Sequence, residues 1–363
     1  MAITQAAVDE ERVFYAELER RHLVALWNLQ ANLLPRQPKS RAVPYLWRWE
    51  DLVPLIKRSG ELASPKRGAE RRVLGFINPG LPARYGATHT LWGAYQYLLP
   101  REVAPAHRHS QAAIRFILEG AGAFTTVDGD KCVMHPGDLV LTPPWTWHDH
   151  GNETDEPMIW YDGLDLPLVH ELEGPFFEPF DEDAQPVSTL AGDSERRWGA
   201  GSLRPAWERP AGPVSPLMHY RWVVTEEALR RLATVGASPF DDVVMEYVNP
   251  GTGGPLMPTM ACLIQLLRGG VRTQAHRHTG SAVYVAFQGH GSSVIDGQRF
   301  DWRRGDVFVV PTWAWHEHAS ARGAEAVLFS VHDTPVLRAL GLYREQPYAD
   351  HGGHQPVTST FEG

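Results

Sequence analysis

The chain has 363 residues, 43% hydrophobic and 21% charged, which is enough to bury a core in about two domains and excludes a disordered chain. Its 34 Lys and Arg against 43 Asp and Glu leave a net charge of −9, which argues against a nucleic-acid or anionic-membrane partner, since either needs a basic face. No apolar run approaches the ~18 residues of a membrane span. The start, with Asp9, Glu10 and Glu11, does not read as a signal peptide, so a cytoplasmic protein is expected.

In chain order, residues 1–70 read as a helical extension. Val8 to Leu34 is rich in Glu, Arg, Leu and Ala, lacks Gly and Pro, and predicts one long amphipathic helix ended by Pro35, Pro38 and Pro44. Residues 71–170 carry short runs such as Leu139-Val140-Leu141, bounded by Gly-Asp or Pro, and Asp128-Gly129 is a tight-hairpin signature. Residues 171–240 are acidic and Pro-rich, then helical around Glu226 to Thr234, as suits a connector. Residues 241–345 return to short strands, with Asp296-Gly297 as the hairpin signal, and 346–363 form a tail. The expected class is all-β, with two tandem jelly-roll barrels behind the helical extension. Cys132 and Cys262 are too few for a disulfide scaffold or a thiolate metal site and read as buried thiols.

The two barrels are copies. His107-Arg108-His109 and Gly120 recur as His276-Arg277-His278 and Gly289 at an offset of 169 residues. Gly137-Asp138, Pro143, Trp145, Trp147, His148 and His150 recur as Gly305-Asp306, Pro311, Trp313, Trp315, His316 and His318 at an offset of 168. The period far exceeds that of solenoid repeats, so each copy is a domain. Residues i and i+2 of a strand share a face, so His107 and His109 aim two imidazoles at one point, and His148 can bring a third. The same holds for His276, His278 and His316. Three imidazoles suit Fe(II) and Zn(II) alike, so ligand type leaves the metal open. Trp145, Trp147, Trp313 and Trp315 read as packing at the barrel mouth, with stacking on a ligand ring as the alternative.

The histidine, glycine and proline spacing resembles the two motifs of the cupin superfamily. The glutamate usual in those motifs is absent: Ala113 and Ala282 stand in its place. A longer set looks like the gentisate 1,2-dioxygenase family, which includes salicylate and 1-hydroxy-2-naphthoate dioxygenases. It comprises Ser40-Arg41-Ala42-Val43-Pro44, Trp47-Arg48-Trp49, Asn78-Pro79-Gly80-Leu81, Leu91-Trp92-Gly93-Ala94-Tyr95-Gln96, His107-Arg108-His109-Ser110-Gln111 and Thr146-Trp147-His148-Asp149-His150. The resemblance runs from about residue 35 to 335. It implies a bicupin with Fe(II) on His107, His109 and His148, one ion per catalytic domain, and O2 as co-substrate. It also implies insertion between the carboxyl-bearing and hydroxyl-bearing ring carbons of gentisate to give maleylpyruvate, and a homo-oligomer, commonly a tetramer.

The resemblance further places Arg115, Gln96, Trp92, Asp162 and Arg71 around the substrate, with His150 and Arg115 in catalytic roles. An aromatic carboxylate in a low-dielectric barrel needs a cation opposite it, and Arg115 shares the inward face of its strand. Copy two has Tyr284 in place of Arg115 and Ser330 in place of Asp162, so one active domain is expected. The rival readings are a three-histidine zinc or manganese enzyme catalysing hydrolysis or isomerisation, and a non-enzymatic small-ligand-binding bicupin.

Overall fold

The computed structural model describes residues 5–63, 71–82, 85–210 and 212–363. The first 39 residues form a unit of their own. The single helix expected there is two, Gln5–Arg20 and Leu26–Leu33. The break is a Schellman cap: His22 adopts φ 54°, its N–H donates to Glu19 O at 3.0 Å, and Leu23 N–H donates to Leu18 O at 2.8 Å. Glycine usually takes that left-handed position, and its absence is why the sequence reads as continuous. Trp27 Nε1 donates to the Tyr15 hydroxyl at 3.1 Å and its ring stacks on Phe14, so aromatic contacts hold the two helices together. No helix among the described residues is long and apolar enough to cross a membrane.

Residues 40–363 form the second unit, in which each copy is a pair of facing antiparallel sheets. In copy one the inner sheet runs His219–Tyr220, Leu139–Thr142, Ala113–Glu119, Met158–Leu164, Trp92–Leu98, Arg72–Gly75. Its partner runs Phe177–Pro179, Val103–His109, His148–Gly151, Phe124–Val127, Asp130–Val133. Copy two repeats this order, from Tyr45–Trp47 to Val243–Glu246 in one sheet and from Glu345–Pro347 to Gln298–Arg303 in the other, where Ser359–Thr360 adds a sixth strand, paired parallel at the edge. The architecture is the all-β tandem jelly roll that the turn spacing predicts. The expected helix near Glu226 is Trp222–Leu232.

Two short strands are exchanged between copies. Tyr45–Trp47, ahead of copy one, pairs with Val307–Val310 of copy two, and His219–Tyr220, ahead of copy two, pairs with Leu139–Thr142 of copy one. A helix follows each, Trp49–Leu62 and Trp222–Leu232, and its first tryptophan lies over a glycine of the other copy. A Cβ on Gly305 would come within 2.5 Å of the Trp49 ring and one on Gly137 within 2.6 Å of the Trp222 ring, so both turns need glycine. The neighbouring acids complete the dock: Trp49 N–H donates to Asp306 at 2.7 Å and Trp222 N–H to Asp138 at 2.8 Å, meeting free donors of each helix start. The repeated Gly-Asp pairs are therefore docking turns. Between the copies one apolar cluster is continuous, with Phe116 stacked on Phe329 at 4.1 Å.

Candidate metal and substrate site

His107 and His109 end the strand Val103–His109, and His148 opens the strand His148–Gly151 directly across from His107. Their ligand nitrogens lie within 4.8 Å of one another. The short strand Phe177–Pro179 pairs along the other edge of the ligand strand. Trp145 N–H also donates to His109 O at 2.7 Å, which pins the end of that strand. Arg108, between the two histidines, points the opposite way. Its guanidinium sits 4.5 Å from the rings of both Trp145 and Trp147, and Arg277 is held in the same way by Trp313 and Trp315. These tryptophans thus clamp an arginine on the outer face.

Burial is the main force on the three imidazoles. It lowers His107 to about 2 and His109 to about 4 and holds His148 well below its ordinary value, with the cations Arg71 and Arg115 adding to the shift. All three are neutral near pH 7, the state a metal requires. His109 Nδ1 donates to Gln111 O at 2.9 Å and His148 Nδ1 to Thr146 O at 3.0 Å, which leaves each Nε2 for the centre. His148 Nε2 is buried without a hydrogen-bond partner in the protein, a costly arrangement that a divalent cation would relieve. The donor set fits a metal.

Register places the remaining candidates on the same interior face. Arg115 lies opposite Asp162, Asp162 opposite Ala94, and Trp160 opposite Gln96, so Trp92, Gln96, Trp160, Asp162 and Arg115 share one side of the inner sheet. Arg115 is 2% exposed, with Nε 3.5 Å from Asp162 Oδ1, and its Nη1 donates to Thr142 Oγ1. Trp160 Nε1 donates to Asp162 at 3.0 Å. Burial lifts the Asp162 carboxyl to about 6, against the pull of Arg115, so the pair is ionised at neutral pH.

Arg71 precedes the strand Arg72–Gly75 and reaches His150 Nε2 at 2.9 Å, His107 Nδ1 at 3.2 Å and Pro105 O at 3.1 Å. A guanidinium only donates, so His150 Nε2 accepts and its Nδ1 carries the proton, given to Thr125 Oγ1 at 2.8 Å; by the same rule the Arg71 contact to His107 Nδ1 must open before that ring can offer Nε2 to a metal. The sequence offers no signal for this pairing, nor for the support from Thr142, Thr125 and Trp160.

The Asp162 shift carries a stability prediction. The folded value, about 6, lies above the unfolded value near 3.8, so the native state keeps a proton on Asp162 that the unfolded state has released. Wild-type protein should therefore lose stability relative to Asp162→Asn as pH rises from about 4 to about 6, at up to about 1.4 kcal/mol per pH unit, and run parallel to it above that window. Urea denaturation of the metal-free proteins across pH measures this. Parallel curves throughout would show that Asp162 does not titrate there.

Copy two brings together His276, His278 and His316 in the same way, with His276 opposite His316 and the two Nε2 atoms 2.7 Å apart. Burial lowers His276 to about 3 and His278 and His316 below their ordinary value. Tyr284 and Ser330 face each other in register where Arg115 and Asp162 do in copy one. A cavity of about 540 Å³ opens onto His276 and His278, with His332, Asp241, Glu345 and Arg338 also in its wall. None of those four stands out in the sequence, because each comes from a different element: a strand end for His332, a loop for Asp241, a strand start for Glu345 and the helix Thr334–Ala339 for Arg338.

A cupin domain profile matches residues 94–165 and 263–332. The chain is 43% identical to a 5-aminosalicylate 1,2-dioxygenase of Comamonas sp over 96% of its length and 93% of that protein. It is 44% identical to a gentisate 1,2-dioxygenase of Streptomyces sp, covering 91% of this chain and 93% of that one. Among solved structures, salicylate 1,2-dioxygenase from Pseudoaminobacter salicylatoxidans with gentisate superposes with a TM-score of 0.89 at 38% identity, over 95% of both chains.

Proposed function

This chain belongs to the gentisate 1,2-dioxygenase family of ring-cleaving bicupins, and we propose that its own reaction is the opening of gentisate (2,5-dihydroxybenzoate) to maleylpyruvate in the first barrel. The observation that carries this reading is one buried interior holding three neutral imidazoles and the Arg115 guanidinium together. His107, His109 and His148 would hold Fe(II). Bound there, the ion would supply Lewis acidity toward the substrate's carboxylate and hydroxyl and an electron path between the ring and O2. Arg115 neutralises the substrate carboxylate, and Asp162, Thr142 and Trp160 fix its direction. Gln96 and Trp92 wall the ring. His150, its Nδ1 proton committed to Thr125, would take or return the hydroxyl proton at Nε2 once the substrate draws Arg71 from that nitrogen, Arg71 then supplying the second cation of the pocket. The proposed assembly is a homotetramer.

O2 uptake by anaerobically reconstituted ferrous protein tests the reading, with gentisate, salicylate, 5-aminosalicylate and 1-hydroxy-2-naphthoate in parallel. The expected result is fastest uptake with gentisate and a stoichiometric ring-opened product. Preference for another of these acids would move the substrate within the class. No uptake with any would return the site to a non-oxidative metal enzyme or a binding protein.

The second barrel has a triad without the Arg115–Asp162 pair, and positioning is worth several kcal/mol. The His276→Ala/His278→Ala variant should therefore lower metal content toward one ion per chain while keeping most of the ring-cleaving rate. Loss of turnover in a folded variant whose first centre is still loaded would show that copy two shares in the chemistry.

A further inference from the structure

The two barrels keep the same histidine frame but reverse the charge around it. Pairing register identifies the changes position by position. Trp92 of copy one corresponds to Ala261 and Gly75 to Glu246, while Gln96 is retained as Gln265. In copy one the Trp92 ring lies close over Gly75, where a Cβ would be 3.1 Å from it. In copy two the small Ala261 vacates that space, and both Ala261 and Glu246 line the cavity of about 540 Å³. Phe177, opposite His109, becomes Glu345, opposite His278. Arg115 becomes Tyr284, and Asp241 joins the same wall.

The cavity therefore carries three carboxyl groups, Asp241, Glu246 and Glu345, against one guanidinium, Arg338. Arg338, Glu246 and Glu345 are all exposed, Asp241 is half-buried, and the Arg338 guanidinium sits 4.6 Å over the Tyr343 ring. Asp241 accepts from Ser238 Oγ at 3.1 Å, and Glu345 accepts from the Tyr343 hydroxyl at 2.8 Å, so both carboxylates are held in place. The volume is that of a small-molecule pocket. Copy one, by contrast, presents Arg71 and Arg115 to its interior against the single carboxylate of Asp162.

We propose that the second barrel is a binding site in its own right, holding a divalent cation on His276, His278 and His316 and, beside it, a small chelating aromatic that is neutral or positively charged rather than an aromatic carboxylate. An ammonium-bearing substituent would lie against Asp241 and Glu345, while an anionic one would meet their repulsion in a partly desolvated cavity. The site would thus bind a class of molecule that the catalytic barrel does not favour, and the inference does not depend on which acid the first barrel opens.

The test uses the full-length His107→Ala/His148→Ala chain, in which only the second triad is intact, loaded anaerobically with Co(II). Three ortho-diphenols that differ only in side-chain charge serve as probes: dopamine, catechol and 3,4-dihydroxybenzoate. Binding is read from the cobalt d–d spectrum and from tryptophan fluorescence. The expected order is dopamine, then catechol, then 3,4-dihydroxybenzoate, with dopamine at least roughly tenfold tighter than the acid. Asp241→Asn/Glu345→Gln should erase that preference while retaining cobalt. If Asp241→Asn impairs folding, Glu345→Gln alone should still narrow it. Equal or tighter binding of the acid, cobalt that does not load, or cobalt bands that no probe alters would each overturn the proposal.

Discussion

Alanine in place of His107, His109 or His148 is expected to remove the iron of the first centre and the ring-cleaving activity together. Each residue contributes one of three neutral nitrogens within 4.8 Å of one another, and neither an acidic side chain nor a thiolate belongs to the cluster to make up for a loss. Removing one leaves two imidazoles, and affinity should fall by well over the ~10²-fold that loss of a supporting residue already costs. The fold should survive. His148 Nε2 has no protein partner to lose, and burial opposes charge on all three rings, so the metal-free centre is strained as it stands. The measurement is metal per chain beside O2 uptake, made in the His276→Ala/His278→Ala background so that all bound iron is first-centre iron. Circular dichroism confirms folding. A His148→Ala chain that kept one iron and near-normal turnover would remove His148 from the ligand set.

What the sequence shows of this architecture is what recurs at fixed spacing. His-x-His on a strand, a glycine turn, an Asp-Gly hairpin and a closing histidine each obey a local rule, so their repetition reveals two copies and two triads. Arg115 and Asp162 are legible as a pair because they sit at matched distances from the ligands and are missing from copy two. Features set by long-range contact are not legible. Tyr45–Trp47 and His219–Tyr220 are three and two residues long, too short for any periodicity, and their meaning as exchanged strands lies wholly in their partners. The function of Gly137 and Gly305 as seats for Trp222 and Trp49 is hidden for the same reason. The helix break at His22 escapes because a non-glycine residue occupies the left-handed cap. Arg71 reaches His150 across 79 residues, a distance that only the fold closes.

Arg115→Ala is expected to lower kcat/KM by at least ~10²-fold while leaving first-centre iron in place. The guanidinium touches none of the ligand histidines by hydrogen bond. Its partners are Thr142 and Asp162, and it acts on the imidazoles only as a nearby positive charge that disfavours their protonation. Its removal therefore should not loosen the metal. In the proposed reaction what is lost is the cation that would face the substrate carboxylate, in an interior where Arg115 itself is 2% exposed. Truncating one partner of a buried charge pair costs on the order of 3–5 kcal/mol. The variant also strands Asp162, whose carboxyl burial already lifts to about 6 and which would then be protonated near neutral pH. That structural effect is separated from the catalytic one by Arg115→Met/Asp162→Asn, which removes both charges and keeps most of the volume. The double variant should recover stability without recovering kcat/KM. Recovery of both would mean that Arg115 serves the fold alone, and unchanged kinetics in the single variant with full iron would place its guanidinium outside the reach of the substrate.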